Sequence, residues 1–379
     1  MNGIIMAKKE LKIYRHAMNV IEGKLNISEF SLIIGKSYRQ AQRIVKKVRE
    51  KAELGVLHGN LGKVPINKSD PKFIEEVVRL KKDQYKDFNL VHFQEKIKEQ
   101  EGLEIKYSTL YRAAKKNDLI KYSKRRSKKV HKLRPRLPQE GMLIQFDGSE
   151  HVWFGSFKCD LIAGIDDATG KIVAAEFFIG ETSLHSMKVI QGIIENHGIP
   201  EAFYMDEAAI FGKRDREWKS QISRAFETLD IKLILAGSAQ AKGRVERLFR
   251  TLQDRLIAEL SLVGVKTIIQ ANQYLQQVFI PEFNKKFAHP PRENVKAYRK
   301  LKEQNLKNIL CRKISRKIAP GNIFSYLNKK YVLQGYKDYR FRKININTHQ
   351  DGTITYDING KKVEVEIMKL DKGKMKKAG

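Results

Sequence analysis

Met142-Leu143-Ile144-Gln145-Phe146-Asp147-Gly148 is an apolar run that ends on a carboxylate and a glycine. Met142–Phe146 reads as a strand, with Asp147 at its end. Two further strands are predicted at Leu161–Ile165 and Ile172–Phe178, joined by the turn Asp166-Asp167-Ala168-Thr169-Gly170. Ser183–His197 is an amphipathic helix stopped by Gly198-Ile199-Pro200. Phe203–Met205 is a fourth strand, and it too runs into an acid, Asp206. Arg216–Leu229 reads as a helix, Lys232–Leu235 as a fifth strand, and Ala241–Leu262 as a long helix with Glu246 near its start. Three strands, then helix, strand, helix, strand and helix, give an α/β pattern over 139–265.

On the N-terminal side the pattern becomes helical. Leu11–Ile21 and Ile27–Ile34 are apolar-periodic, and Gly35 suits the left-handed position that ends a helix. Ser37-Tyr38-Arg39-Gln40 is a capping-box pattern, after which Ala41, Ile44, Val45 and Val48 share one face. The opposite face carries Arg39, Arg43, Lys46 and Lys47. Helix, glycine turn and basic helix resemble a helix-turn-helix DNA-binding unit over 1–58; the plainer reading is a helical bundle with a solvated basic face. Residues 66–120 repeat the theme with helices at Phe73–Lys82, Leu90–Gln100 and Tyr107–Leu119, the last carrying Arg112, Lys115 and Lys116. The linker 121–138 is dense in cations, including Arg125, Arg126, Lys128 and Lys129, and suits either a phosphate backbone or solvent.

On the C-terminal side, 266–310 reads as a helical connector. Alternating strands at Tyr331–Gln334, Arg340–Ile346, Thr353–Ile358 and Lys361–Met368, with an Asn359-Gly360 hairpin signal, predict a small β-barrel over 311–370. Residues 371–379 form a basic tail.

The chain of 379 residues carries 74 Lys and Arg against 43 Asp and Glu, a formal charge of +31. Such an excess favours a polyanionic partner, because binding releases its condensed counterions. Two cysteines, Cys159 and Cys311, form neither a disulfide framework nor a zinc pattern. No apolar run is long enough to span a membrane, and Met1–Lys9 lacks a signal-peptide core. A reducing cytoplasm is the expected setting, with no membrane partner.

Against this charge, Asp147, Asp206 and Glu246 stand out. Phosphodiester transfer needs an activated oxygen nucleophile, a stabilised leaving oxygen and in-line geometry, which two divalent ions about 3.5–4 Å apart supply. Magnesium prefers oxygen ligands, so carboxylates from two adjacent strands and one helix make a suitable set. Taken singly, each acid has a local explanation: Asp147 as a turn residue, Asp206 as a strand cap, Glu246 as a helical partner of Lys242 or Arg250. Asp166 and Asp167 fit turn chemistry better than catalysis, and Trp153 reads as core. His151 has only its proximity to Asp147 to argue for a DNA or water contact.

The motifs resemble those of insertion-sequence transposases of the DDE superfamily, which includes retroviral integrases. Gln145-Phe146-Asp147-Gly148-Ser149 with His151 and Trp153-Phe154 resembles the first-aspartate motif of an ISNCY-type or closely related subgroup. Ile165-Asp166-Asp167-Ala168-Thr169-Gly170 resembles the family's turn, Tyr204-Met205-Asp206 its second-aspartate strand, and Ser238 to Arg247 its glutamate helix. Phe283 to Pro291 resembles the segment after the core. The zinc module of retroviral integrases is absent.

The resemblance implies a ribonuclease-H-like catalytic core between helix-turn-helix units and a small β-barrel. It also implies Asp147, Asp206 and Glu246 as ligands of two Mg²⁺ ions, with Mn²⁺ able to substitute. Lys242, Arg244 and Arg250 join the expected DNA-contacting set; Arg250 and Gln253 sit where related enzymes meet the DNA end, and an ion pair of Arg250 with Glu246 is the local alternative. The implied function is binding of double-stranded DNA at terminal inverted repeats, end cleavage and strand transfer into target DNA by a homo-oligomer. Two other readings remain: a regulator derived from a transposase that has lost catalysis, and a ribonuclease-H-like nuclease.

Overall fold

The structure is a computed structural model that describes residues 6–60, 64–65, 68–120, 134–206, 216–236, 243–301, 305–335 and 337–368; of residues 206, 216–220 and 236 it describes the backbone alone. The chain divides into two compact units, Met1–Glu75 and Glu76–Gly379.

The first unit holds α1 (Lys8–Ile21), α2 (Ile27–Ile34) and α3 (Tyr38–Lys51). The Gly35 and Ser37 signals are used as expected, and the structure adds a cap at Asn26. Asn26 caps α2, Gly35 ends it at φ 62°, and Ser37 accepts from the Gln40 N–H at 3.3 Å while the Gln40 side chain returns to the Ser37 N–H. Ala17, Phe30, Ala41, Val45 and Val48 form the core, with Ile44 packed against it. This leaves Arg39, Arg43, Lys46 and Lys47 exposed on α3.

The second unit begins within α4 (Pro71–Asp83) and continues through α5 (Leu90–Gln100) and α6 (Tyr107–Lys116), where Arg112, Lys115 and Lys116 are exposed. A five-stranded sheet follows: β1 (Ile144–His151), β2 (Cys159–Asp166), β3 (Ile172–Phe178), β4 (Ala202–Asp206) and β5 (Lys232–Ala236). Its order is β3-β2-β1-β4-β5; β1 to β3 are antiparallel neighbours, whereas β4 runs parallel to both β1 and β5. That order and these directions are those of a ribonuclease-H-like core.

Helices cover both faces of the sheet. On one side α7 (Ser183–His197) and α8 (Arg216–Leu229) pack against Ile144, Phe146, Phe203 and Met205. On the other, α9 (Gly243–Val263) packs Val245, Leu248, Leu252 and Leu256 against Leu161, Ala163 and Phe177. Trp153 is fully buried in this second cluster and donates to the Ser149 carbonyl at 3.0 Å, as befits a core residue.

Three expectations need correcting. First, β1 does not stop before Asp147. It runs on to His151, because β2 pairs with it along its whole length, from Ile144 opposite Asp166 to His151 opposite Cys159. Asp147 therefore lies mid-strand. Second, the connector is helical only to Phe287: α10 (Ile268–Tyr274), a π-helical turn over Leu275–Phe279 and α11 (Ile280–Phe287) are followed by non-helical residues 288–301. Pro290 and Pro291 lack the N–H groups a helix needs there. A short helix, α12 (Leu306–Ile309), comes later.

Third, the C-terminal strands are β6 (Arg312–Lys317), β7 (Ile323–Tyr326), β8 (Lys329–Leu333), β9 (Lys343–Thr348), β10 (Ile354–Ile358), β11 (Lys361–Val363) and β12 (Val365–Ile367). Among the described residues they form two sheets, β11-β10-β9-β6 and β12-β8-β7, rather than one closed barrel. The expected single strand Lys361–Met368 breaks at Glu364: β11 pairs with β10, and β12 with β8. Both sheets contribute to one core that includes Phe324, Tyr331, Leu333, Ile344 and Ile346.

One glycine at the edge of the core is structurally required. Gly141 has φ 93°, and a Cβ there would lie 2.7 Å from the Tyr298 ring. Its N–H also donates to Asp166 Oδ2 at 2.9 Å. Gly141→Ala combines a left-handed backbone with a ring clash, so a loss of about 1–3 kcal/mol is expected in urea melts. A wild-type midpoint would contradict this placement.

Candidate active site

Asp147 is half-buried on β1. Residues alternate across a strand, so Asp147 shares the face of Gln145 and Ser149, opposite the one that buries Ile144 and Phe146. That face is the one α9 crosses. Two bonds fix the helix there: the Val245 N–H donates to Gln145 Oε1 at 3.2 Å, and Gln253 Nε2 donates to Ser149 Oγ at 3.3 Å. Asp147 lies between these anchors on the strand. Glu246, exposed in the first turn of α9, and exposed Arg250 lie between them on the helix.

Asp206 is the last residue of β4; its side chain lies outside the described residues. Its backbone position is informative nonetheless. Ile144 pairs with Phe203 and Gln145 with Tyr204, and the same offset carried forward sets Asp147 level with Asp206 on the neighbouring strand. The structure thus brings together the three segments that carry the acids. Among the described residues, which leave out the Asp206 side chain, no three His, Cys, Asp or Glu side chains form a metal-binding group.

On the opposite face of β1 from Asp147, a Cβ added to Gly148 would lie 3.0 Å from Glu181 Oε2, so glycine leaves room for that carboxylate on the α7 side of the sheet. Glu181 had no signal in the sequence, since it sits on an exposed connection after β3. The two cysteines are buried elsewhere, Cys159 in the α9-side core and Cys311 beside α12. An all-oxygen set of this kind suits a hard cation.

The turn acids divide their work. Asp166 performs the expected turn chemistry: Oδ1 accepts from the Thr169 N–H at 2.8 Å and the Thr169 hydroxyl at 2.7 Å. Burial pushes its carboxyl up from the ordinary range, against the opposing effect of the bonds from Gly141 and Thr169. Asp167 is fully buried and reaches away from the turn. Its Oδ1 accepts from Gln145 Nε2 at 2.7 Å and from Arg134 and Arg244, and its Oδ2 accepts from the Leu137 N–H at 3.0 Å.

The expected DNA-contacting residues fall into three groups. Arg39, Arg43, Lys46, Lys47, Arg112, Lys115, Lys116 and Arg250 are exposed. Arg244 is engaged internally, on Asp167 and on the Arg134 carbonyl at 2.6 Å. Arg125, Arg126, Lys128, Lys129 and Lys242, like the basic tail, lie outside the described residues. No helix among the described residues is long and apolar enough to cross a membrane.

No family model matches the chain. Among curated proteins it is 30% identical over 340 residues to "Putative transposase y4bF" of Sinorhizobium fredii, an alignment that covers 87% of this chain and 74% of that protein. It is also 30% identical over 378 residues to the transposase for insertion sequence IS1202 of Streptococcus pneumoniae, covering 88% of this chain and 80% of that one. Among solved structures, the HTLV-2 integrase catalytic core domain in complex with magnesium overlaps 37% of this chain and 89% of its own, at 19% identity and a TM-score of 0.29. An overlap that low transfers no position from one chain to the other.

Proposed function

The chain belongs to the insertion-sequence transposases, and from that premise we propose that it binds the terminal inverted repeats of its element and carries out metal-dependent end cleavage and strand transfer at a centre made by Asp147, Asp206 and Glu246. The observation that carries this reading is the register of β1 and β4, which sets Asp147 level with Asp206. The α9 anchors on Gln145 and Ser149 support the third member, because they hold the Glu246 turn along the same stretch of strand.

The oxygen donors fit magnesium, with Mn²⁺ as a substitute: Asp147, Asp206 and Glu246 would hold two ions between them. When bound, these ions would supply charge stabilisation and nucleophile activation for in-line displacement at phosphorus. The chain's own cations handle the rest of the polyanion. Exposed Arg39, Arg43, Lys46 and Lys47 on α3, and Arg112, Lys115 and Lys116 on α6, offer phosphate contacts that position the duplex. Exposed Arg250, one turn beyond Glu246, offers a contact next to the scissile phosphate. Holding two element ends at once calls for a homo-oligomer on the DNA.

The test is incubation of the full chain with double-stranded DNA carrying the element's ends, in Mg²⁺ or Mn²⁺. Nicks exposing 3′-hydroxyls and joined products, both abolished by chelation, are expected. Tight end binding without any nicking would instead mark a DNA-binding regulator, and preferential cutting of RNA–DNA hybrids a ribonuclease.

A further inference from the structure

We infer that Asp167 is a positioning residue for the acidic centre, fastening the Glu246 helix to the Asp147 strand through Arg244 and Gln145. The inference rests on the function proposed above. Its place in a β-turn gives Asp167 no local reason to be fully buried. A buried carboxylate persists only when paired and hydrogen-bonded, and the partners of Asp167 come from β1, from α9 and from the chain that enters the core.

The connections form a closed frame. On the strand side, Gln145 Nε2 donates to Asp167 at 2.7 Å, and Gln145 lies two residues before Asp147 on the same face. The other end of that amide, Oε1, accepts from the Val245 N–H, one residue before Glu246. On the helix side, Arg244 donates to Asp167 with one guanidinium nitrogen and to the Arg134 carbonyl with another. Asp167 thus orients Gln145 so that its carbonyl faces the start of α9, and it draws α9 inward through Arg244.

The frame also reaches the segment that leads into the core. Arg134 donates to Asp167 Oδ1, the Leu137 N–H to Oδ2, and Arg136 Nη1 to the Asp167 carbonyl at 3.0 Å. One side chain therefore holds the strand, the helix and the entering chain together. Partners that orient metal ligands in this indirect way typically matter by about 10–100-fold in metal affinity or activity.

The test uses the full chain with Asp167→Asn and, separately, Arg244→Ala, a more accessible side chain that removes the same tether. Three quantities are read: the Mg²⁺ concentration for half-maximal nicking, the Kd for end DNA, and the Mg²⁺-induced rise in melting temperature. The expected result is a rise of about tenfold or more in the Mg²⁺ requirement and a smaller Mg²⁺-induced thermal shift, with Kd for end DNA unchanged. A Mg²⁺ requirement equal to wild type in Arg244→Ala overturns the inference, even if Asp167→Asn fails to fold. So does weaker end binding by Arg244→Ala at an unaltered Mg²⁺ requirement, which would make Arg244 a phosphate contact. Absence of both nicking and a Mg²⁺ shift in the wild-type chain would instead remove the proposed acidic centre, and this inference with it.

Discussion

Asp147→Asn, Asp206→Asn and Glu246→Gln are each expected to lower Mg²⁺-dependent end nicking and strand transfer by on the order of 10³-fold or more, the scale seen when one member of a catalytic unit is removed. Each substitution keeps the side chain's shape and removes its charge, so the loss falls on cation binding rather than on packing. Binding of end DNA should stay within about twofold, because the phosphate contacts proposed for α3 and α6 lie on other elements and affinity for a duplex is dominated by such contacts. Thermal stability should change little for Glu246→Gln, since that side chain is exposed. Combining two of the substitutions should add almost nothing to either alone, because groups that act as a unit are not additive. Substantial Mg²⁺-dependent nicking by any one of the three single variants would remove that residue from the centre.

What the sequence makes legible is what short-range chemistry decides. The first unit's caps are set within three or four residues, and Gly35 and Ser37 behave as their local patterns demand. The succession of elements is readable for a related reason, since Gly170, Gly180 and Gly198 punctuate the apolar segments Ile172–Phe178 and Ser183–His197 at the observed boundaries. The length of β1 is not readable, because Gly148-Ser149-Glu150-His151 carries no apolar alternation and is strand only through its pairing with β2. The same holds for β6, whose Arg312-Lys313-Ile314-Ser315-Arg316-Lys317 is dominated by cations and is held by β9.

The site shows the same divide. The three acids are visible from their motifs, but the frame that surrounds them is not. Asp166 and Asp167 are adjacent turn residues of the same type, yet one bonds Thr169 three positions on and the other bonds Gln145 and Arg244, 22 and 77 positions away. Nothing in a turn pattern distinguishes them. Arg244 likewise reads as one more cation beside Glu246 until its guanidinium is seen engaged on a buried carboxylate.

Glu259→Ala is expected to destabilise the second unit by about 3–5 kcal/mol at pH 7, the cost of leaving buried charge without its counter-ion. Glu259 is buried on α9 and accepts from His92 Nε2 at 2.8 Å and from the Tyr274 hydroxyl at 2.6 Å, with Lys96 Nζ 3.5 Å away. His92 and Lys96 are both buried on α5, so this carboxylate fastens that helix to α9 and the α/β core. Arg255 of α9, paired with Glu95 of α5 at 2.7 Å, reinforces the same seam. Burial by itself would raise the Glu259 pKa, but the bonds from His92 and Tyr274 and the positive charge of Lys96 outweigh it and hold the group below the ordinary carboxylate range. A carboxyl depressed in the folded state stabilises the fold above its unfolded pKa, about 4.3 for glutamate, and that contribution is lost as pH falls through the lower folded value. The gap in urea-unfolding free energy between wild type and Glu259→Ala should therefore be full at neutral pH and narrow progressively below about pH 4. Glu259→Gln should cost less than Ala, because its amide oxygen still accepts from His92, although the amide nitrogen in place of Oε2 no longer accepts from Tyr274 and the charge facing Lys96 is lost. A Glu259→Ala variant within about 0.5 kcal/mol of wild type at pH 7 would show that α5 is held by its apolar contacts and that the buried ion pairs add nothing to the seam.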